Sequence, residues 1–217
     1  MAETTPGDTS VASDGCGCTV AVKFDGATPA YRRVLLTVIA INFIAFMALV
    51  GGAWVQGSAS LAANSLDFLA DSATYAISLW AIGKAVRVRA GAALLKGASL
   101  GLLAVGILVF AVWRAVSGAP PEGEVITGLG LFGFVANAVA AVLLVRYREG
   151  DANVRSVWLC TRNDLIESLA VAGAGLLVWL TGSRWPDLAA GVILAGVFLQ
   201  SAWSIVRQSR QELTDDR

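Results

Sequence analysis

Six apolar stretches, each close to the length that crosses a bilayer, constrain this 217-residue chain more than any other feature. They fall at about 33–55, 59–83, 94–116, 125–146, 154–181 and 187–206, with short polar or Gly/Pro-containing breaks between them. A segment in hydrocarbon must satisfy its own backbone hydrogen bonds, so runs of this length predict α-helices. Charged residues make up 15% of the chain and hydrophobic ones 56%, whereas soluble domains carry about 25% charge. The expected fold class is all-α, a polytopic membrane protein with six transmembrane helices.

The basic residues orient the bundle. With both termini in the cytoplasm, fourteen of the sixteen lysines and arginines lie inside, and Arg114 and Arg184 alone lie outside. Such a positive-inside bias requires an even number of crossings. The tryptophans agree, because Trp54, Trp80, Trp113, Trp158, Trp179, Trp185 and Trp203 all fall near expected span ends. Residues 1–30 are rich in Gly, Thr and Asp and lack an apolar signal-peptide core, so they read as a disordered cytoplasmic tail. That tail carries Cys16 and Cys18; residues 31–208 form the expected six-helix transmembrane domain, and 209–217 a short second tail. Three cysteines suggest no disulfide framework, and a net charge of zero gives no pull towards nucleic acid. The Ala- and Gly-rich composition suits a bacterial cytoplasmic membrane.

The second stretch, SASLAANSLDFLADSATYAISL over 58–79, holds two acids, Asp67 and Asp71. Four residues apart, they project from one helix face. Asn64 lies one turn before them and Thr74 and Ser78 follow, which draws a polar stripe down an apolar helix. An acid at the centre of a membrane helix costs roughly 2.5–3.5 kcal/mol on insertion scales, so two of them point to an ion or proton site. The fifth stretch opens VRSVWLCTRNDLIESLAV, where Cys160 and Asp164 share a face and Glu167 continues it. At about 1.5 Å per residue, Asp67 and Asp71 lie roughly 12 and 18 Å from one surface, and Cys160 and Asp164 roughly 10 and 15 Å from the other. In a core about 30 Å thick these four residues meet near the middle, offering three carboxylates and a thiol to a cation of the zinc class.

Asn42 in the first stretch and Asn137 in the fourth read as interhelical hydrogen-bond partners, at most accessory to the site. Gly97 and Gly101 form a small-xxx-small pair on the third. Polar i, i+4 pairs on the second and fifth spans, which run in opposite directions, suit an inverted three-plus-three repeat.

These residues resemble those of the cation diffusion facilitators. SASLAANSLDFLAD looks like the family's second span, VRSVWLCTRND its fifth and WPDLAAGVILAGVFLQSAW its sixth, and Asn137 stands where the fourth span often carries Asn. The resemblance covers residues 31–208 and implies a proton-coupled exporter of divalent metal ions, usually a homodimer. By position, Asp67, Asp71 and Asp164 match the family's transport-site carboxylates, and Cys160 stands where a histidine is usual. The chain has no histidine at all, and the expectation is a short form without the family's cytoplasmic C-terminal domain.

Three carboxylates and a thiolate cannot all stay charged around one divalent ion in low dielectric, so protons must exchange with the metal. A thiolate shifts preference from Mn2+ or Mg2+ towards Zn2+ and Cd2+, and Cys16 and Cys18 could pass a soft ion to the pore. The metal is cargo, and no cofactor is expected. The alternative is a proton-driven carrier of a small organic cation, for which Phe68 and Tyr75 are the nearby aromatic candidates. An enzyme is not expected, since no histidine is available as a base for Cys160 and no cofactor fingerprint occurs.

Overall fold

The computed structural model describes residues 28–80, 86–147 and 152–215. The described residues form six long α-helices, α1 (Pro29–Gln56), α2 (Ala59–Trp80), α3 (Val86–Ser117), α4 (Gly123–Leu144), α5 (Ala152–Thr181) and α6 (Trp185–Asp215). A 3₁₀ turn, Val145–Tyr147, follows α4, and no strand occurs among the described residues. The chain is an all-α, multi-pass membrane protein. All six expected segments are helices, but α3 starts before 94 and α6 runs on past 206. Hydropathy stops at the membrane surface, whereas backbone hydrogen bonding carries a helix on into water.

Local chemistry sets the ends. Thr28 accepts a hydrogen bond from the Tyr31 amide (3.3 Å) and Pro29 occupies the first turn of α1, a helix start that costs no amide partner. Gly57 closes α1 in the left-handed conformation at φ 60°, and the Arg114 side chain fills the space where a Cβ would stand. Gly182, at φ 63°, follows α5 and donates its amide to Val178.

Among the described residues five helical stretches are long and apolar enough to cross a membrane; α2 lies outside that set. The packing explains why. Among the described residues α2 is the one helix that touches all five others, so its polar side chains face protein. At 22 residues it is about 33 Å long, the thickness of the hydrocarbon core. The outer surface is apolar, with Phe43, Ile44, Leu102, Val109, Ile166 and Val192 all exposed. Six tryptophans with described side chains are at least half exposed, as an interfacial belt requires.

The most extensive contacts pair α4 with α5, α3 with α6 and α1 with α2. Glycines allow the first of these. A Cβ on Gly130 would lie 2.6 Å from the Ala172 amide nitrogen, and one on Gly175 would lie 2.5 Å from that of Thr127, so the two backbones are in contact. The expected Gly97/Gly101 pair lines the second, against Ile205, Val206 and Ala202 of α6. The pairing of α1 with α2 and α4 with α5 fits an inverted repeat. The fit is partial, because α2 also packs on α6 while α5 makes no such contact with α3 among the described residues.

At one end of the bundle three connections are tied together. Asp187, at the start of α6 and 1% exposed, accepts hydrogen bonds from the amides of Ala59 (2.9 Å) and Ser60 (3.1 Å) and from the hydroxyls of Ser58 and Ser60. It thereby caps α2 from another helix, with its charge on the positive end of the dipole. Arg114 donates to the carbonyls of Gln56 (3.4 Å) and Ala119 (2.7 Å), and Arg184 donates to those of Arg114 and Gly118.

Candidate metal site between two helices

The α2 face begun by Asn64 continues through Asp67 and Asp71 to Tyr75, each about one turn after the last. This corrects the expected stripe, in which Thr74 followed the acids. Thr74 is only half-buried and returns its hydroxyl to the Ala70 carbonyl (2.6 Å) of its own helix. Tyr75, fully buried, is the residue that extends the polar face.

Opposite lies α5. Asp67 and Asp71 are each 8% exposed and Asp164 is 5% exposed, so three carboxyl groups are withdrawn into one interface. Asp164 is near both Asp67 and Asp71 and within hydrogen-bonding reach of Asp71. Its Oδ2 has no hydrogen-bond partner among the described residues. Glu167, half-buried one turn further along α5, is near Asp164 and Asp71, and its Oε2 is likewise without a partner there. Like charges this close in low dielectric repel strongly, so the cluster calls for a cation or protons.

Two hydrogen-bonded bridges flank the carboxylates. Towards the C-terminal end of α2, the Tyr75 hydroxyl donates to Asp71 Oδ2 (2.5 Å) and lies 2.9 Å from the hydroxyl of Thr161 on α5. Tyr75 has one proton and gives it to Asp71, so Thr161 is the donor in the second bond. Towards the N-terminal end of α2, Asn137 of α4 donates to the Ser168 hydroxyl (3.3 Å), which donates to Asn64 Oδ1 (3.4 Å). Asn64 and Ser168 are fully buried and packed so close to Gly133 that a Cβ there would lie 3.2 Å from Ser168 Oγ and 3.3 Å from Asn64 Nδ2.

Of the expected ligands, Asp67, Asp71 and Asp164 are brought together. Cys160 belongs to α5 one turn before Asp164, but its side chain lies outside the described residues, as do Cys16 and Cys18. Among the described residues no three His, Cys, Asp or Glu side chains are gathered closely enough to hold a metal ion. Asn64 and Asn137 adjoin the site through Ser168. Asn42 does not act as expected. Its amide donates to Val38 of its own helix (3.0 Å), and its Oδ1 has no hydrogen-bond partner among the described residues. Thr161 and Ser168 escaped the sequence reading as site residues, and Tyr75 entered it only as an aromatic candidate for an organic cation, not as a hydrogen-bond partner of Asp71. Their helical register with Asp71 and Asp164 was the available signal.

A family model described as the cation efflux transmembrane domain matches residues 35–214. The zinc transporter ZitB of Yersinia pestis is 27% identical over 194 residues, covering 83% of this chain and 62% of the relative. The metal cation efflux system protein CzcD of Cupriavidus metallidurans is 24% identical over 197 residues, covering 85% and 62%. A protein of Bacillus velezensis called a cadmium, cobalt and zinc/H(+)-K(+) antiporter is 25% identical over 195 residues, covering 82% and 61%. The chain therefore spans somewhat under two thirds of the length of these relatives. They are bacterial, and the apolar helices mark this chain as a multi-pass protein of the cytoplasmic membrane. With the match running from the first helix to the last, the chain belongs to the cation efflux family, the cation diffusion facilitators.

Proposed function

We propose that this protein exports divalent transition-metal ions, Zn2+ and Cd2+ foremost, from the cytoplasm in exchange for protons. The observation that carries the reading is the meeting of Asp67, Asp71 and Asp164 in one buried interface between α2 and α5. Cys160, one turn from Asp164 on α5, supplies a soft fourth ligand and biases the cargo towards Zn2+ and Cd2+. The relatives named for zinc, and for cadmium and cobalt, support that choice.

Charge balance drives the exchange. Metal entering from the cytoplasm displaces protons from the carboxyl groups and the thiol, and protons arriving from the other side later displace the metal. Alternating access lets one site serve both faces. The same acids could neutralise an organic cation, but Tyr75, one of the two nearby aromatic candidates, is already engaged by Asp71 and Thr161.

Both termini lie in the cytoplasm in this reading, which puts the Asp187 end outside. Arg114 and Arg184, the two exceptions to the positive-inside count, are both used there to tie connections. Residues 31–208 act as the transport unit, Cys16 and Cys18 offer soft ions a first contact, and the working form is a homodimer in lipid. Calorimetric titration of the purified protein with Zn2+ in buffers of different ionisation enthalpy tests the coupling. Buffer-dependent heats reveal protons released on binding, and heats independent of buffer would contradict the exchange.

A further inference from the structure

The carboxylates lie between two polar bridges that join the same two helices. We propose that Tyr75–Thr161 and Asn64–Ser168 are two latches that close the site at either end, and that Tyr75 also positions Asp71. The inference rests on the metal-efflux reading for its purpose, but its geometry stands by itself.

Three observations support it. First, among the described residues α2 and α5 share one of the smaller helix interfaces in the bundle, far less extensive than α1 with α2 or α4 with α5. A small interface separates at low cost, so directional side-chain bonds across it have large influence. Second, the bridges occupy opposite sides of the carboxylates along both helices. Tyr75 follows Asp71 on α2 and Thr161 precedes Asp164 on antiparallel α5; Asn64 precedes Asp67 and Ser168 follows Asp164. Third, Asn64, Tyr75, Thr161 and Ser168 are all fully buried, so their bonds are not diluted by water.

The chemistry of the bridges differs from that of the site. All four latch groups are neutral, so each can break and re-form without stranding a charge in the bilayer. Tyr75 adds a second effect. By donating to Asp71 Oδ2 it occupies a lone pair that a cation would otherwise take. Opening the Tyr75 end therefore frees Asp71 to ligate, which couples access from that side to readiness of the site. The Asn64 end works differently. Its hydroxyl–amide relay reaches a third helix, α4, through Asn137.

Hydrogen–deuterium exchange of the full-length protein in nanodiscs tests this without relying on transport. Tyr75→Phe keeps the ring and deletes one hydroxyl. It is expected to speed amide exchange about 2- to 10-fold, the worth of one hydrogen bond, at the C-terminal end of α2 and the N-terminal end of α5 alone. Ser168→Ala is expected to do so at the opposite ends alone. Thr161→Val should reproduce Tyr75→Phe, and Thr161→Ser should behave as wild type. Unchanged exchange in both variants, or a uniform rise along both helices, would overturn the proposal. Zn2+ flux measured beside it separates the two readings. A chain that moves neither Zn2+ nor Cd2+ but shows the two-ended pattern would sink the efflux reading and uphold the latches.

Discussion

Tyr75 donates its hydroxyl to Asp71 one turn back on α2 while standing 2.9 Å from Thr161 on α5. An aromatic residue in a membrane helix is thus the link between a buried acid and the neighbouring helix. The relationship places a neutral, breakable contact next to a charged one. A carrier needs this pairing, because its binding groups must hold an ion and then release it.

The cap on α2 is the first consequence open to measurement. Asp187 accepts from two amides and two hydroxyls at the start of that helix. Asp187→Ala leaves the Ala59 and Ser60 amides without this acceptor and the two hydroxyls with only each other, which costs about 2–4 kcal/mol. A fall in the melting temperature of the purified protein of roughly 5–15 °C is expected. Asp187→Asn, which keeps an acceptor, should fall by less, and equal melting of all three proteins would contradict the capping role.

The α4–α5 seam predicts a contrast between two glycines on one helix. At Gly130 a Cβ would meet Ala172 backbone at 2.6 Å, whereas at Gly128 nothing lies within 4 Å. Gly130→Val should prevent accumulation of folded protein, and Gly128→Val should not. Monodisperse recovery by size-exclusion chromatography checks both, and similar yields would refute backbone contact along the seam.

The proposed ligation by Cys160 ties cargo choice to position 160. Cys160→His replaces a soft sulfur by a borderline nitrogen, so the ratio of Zn2+ to Cd2+ transport should rise several-fold. Competition between the two ions in proteoliposomes reads this directly. A ratio equal to that of wild type would mean that the sulfur does not set selectivity.

Much of this molecule was legible before its structure. Six membrane-length segments became six helices, since hydrocarbon leaves the backbone few alternatives. Asp67, Asp71 and Asp164 stood out because a charge in an apolar segment has few innocent explanations. What stayed hidden depended on contacts distant in sequence. Tyr75 reads only as an aromatic near the acids until Thr161, 86 residues away, is seen beside it. Asp187 reads as a favourable acid in the first turn of its own helix, yet its bonds go to Ala59, 128 residues earlier. Gly97 and Gly101 of α3 carried a signal in their spacing, but spacing alone does not name α6 as the partner. Asn42 and Asn137 looked alike as lone amides, and only packing separates the one that bonds its own helix from the one that bonds Ser168.

The central claim is that the buried carboxylates between α2 and α5 carry metal in exchange for protons. The most direct test is flux of Zn2+ and Cd2+ into proteoliposomes under an imposed pH gradient, with wild type beside Asp164→Ala. The account predicts gradient-driven uptake by wild type that the variant lacks, with both proteins folded. Uptake indifferent to the gradient, or unchanged in Asp164→Ala, would contradict it.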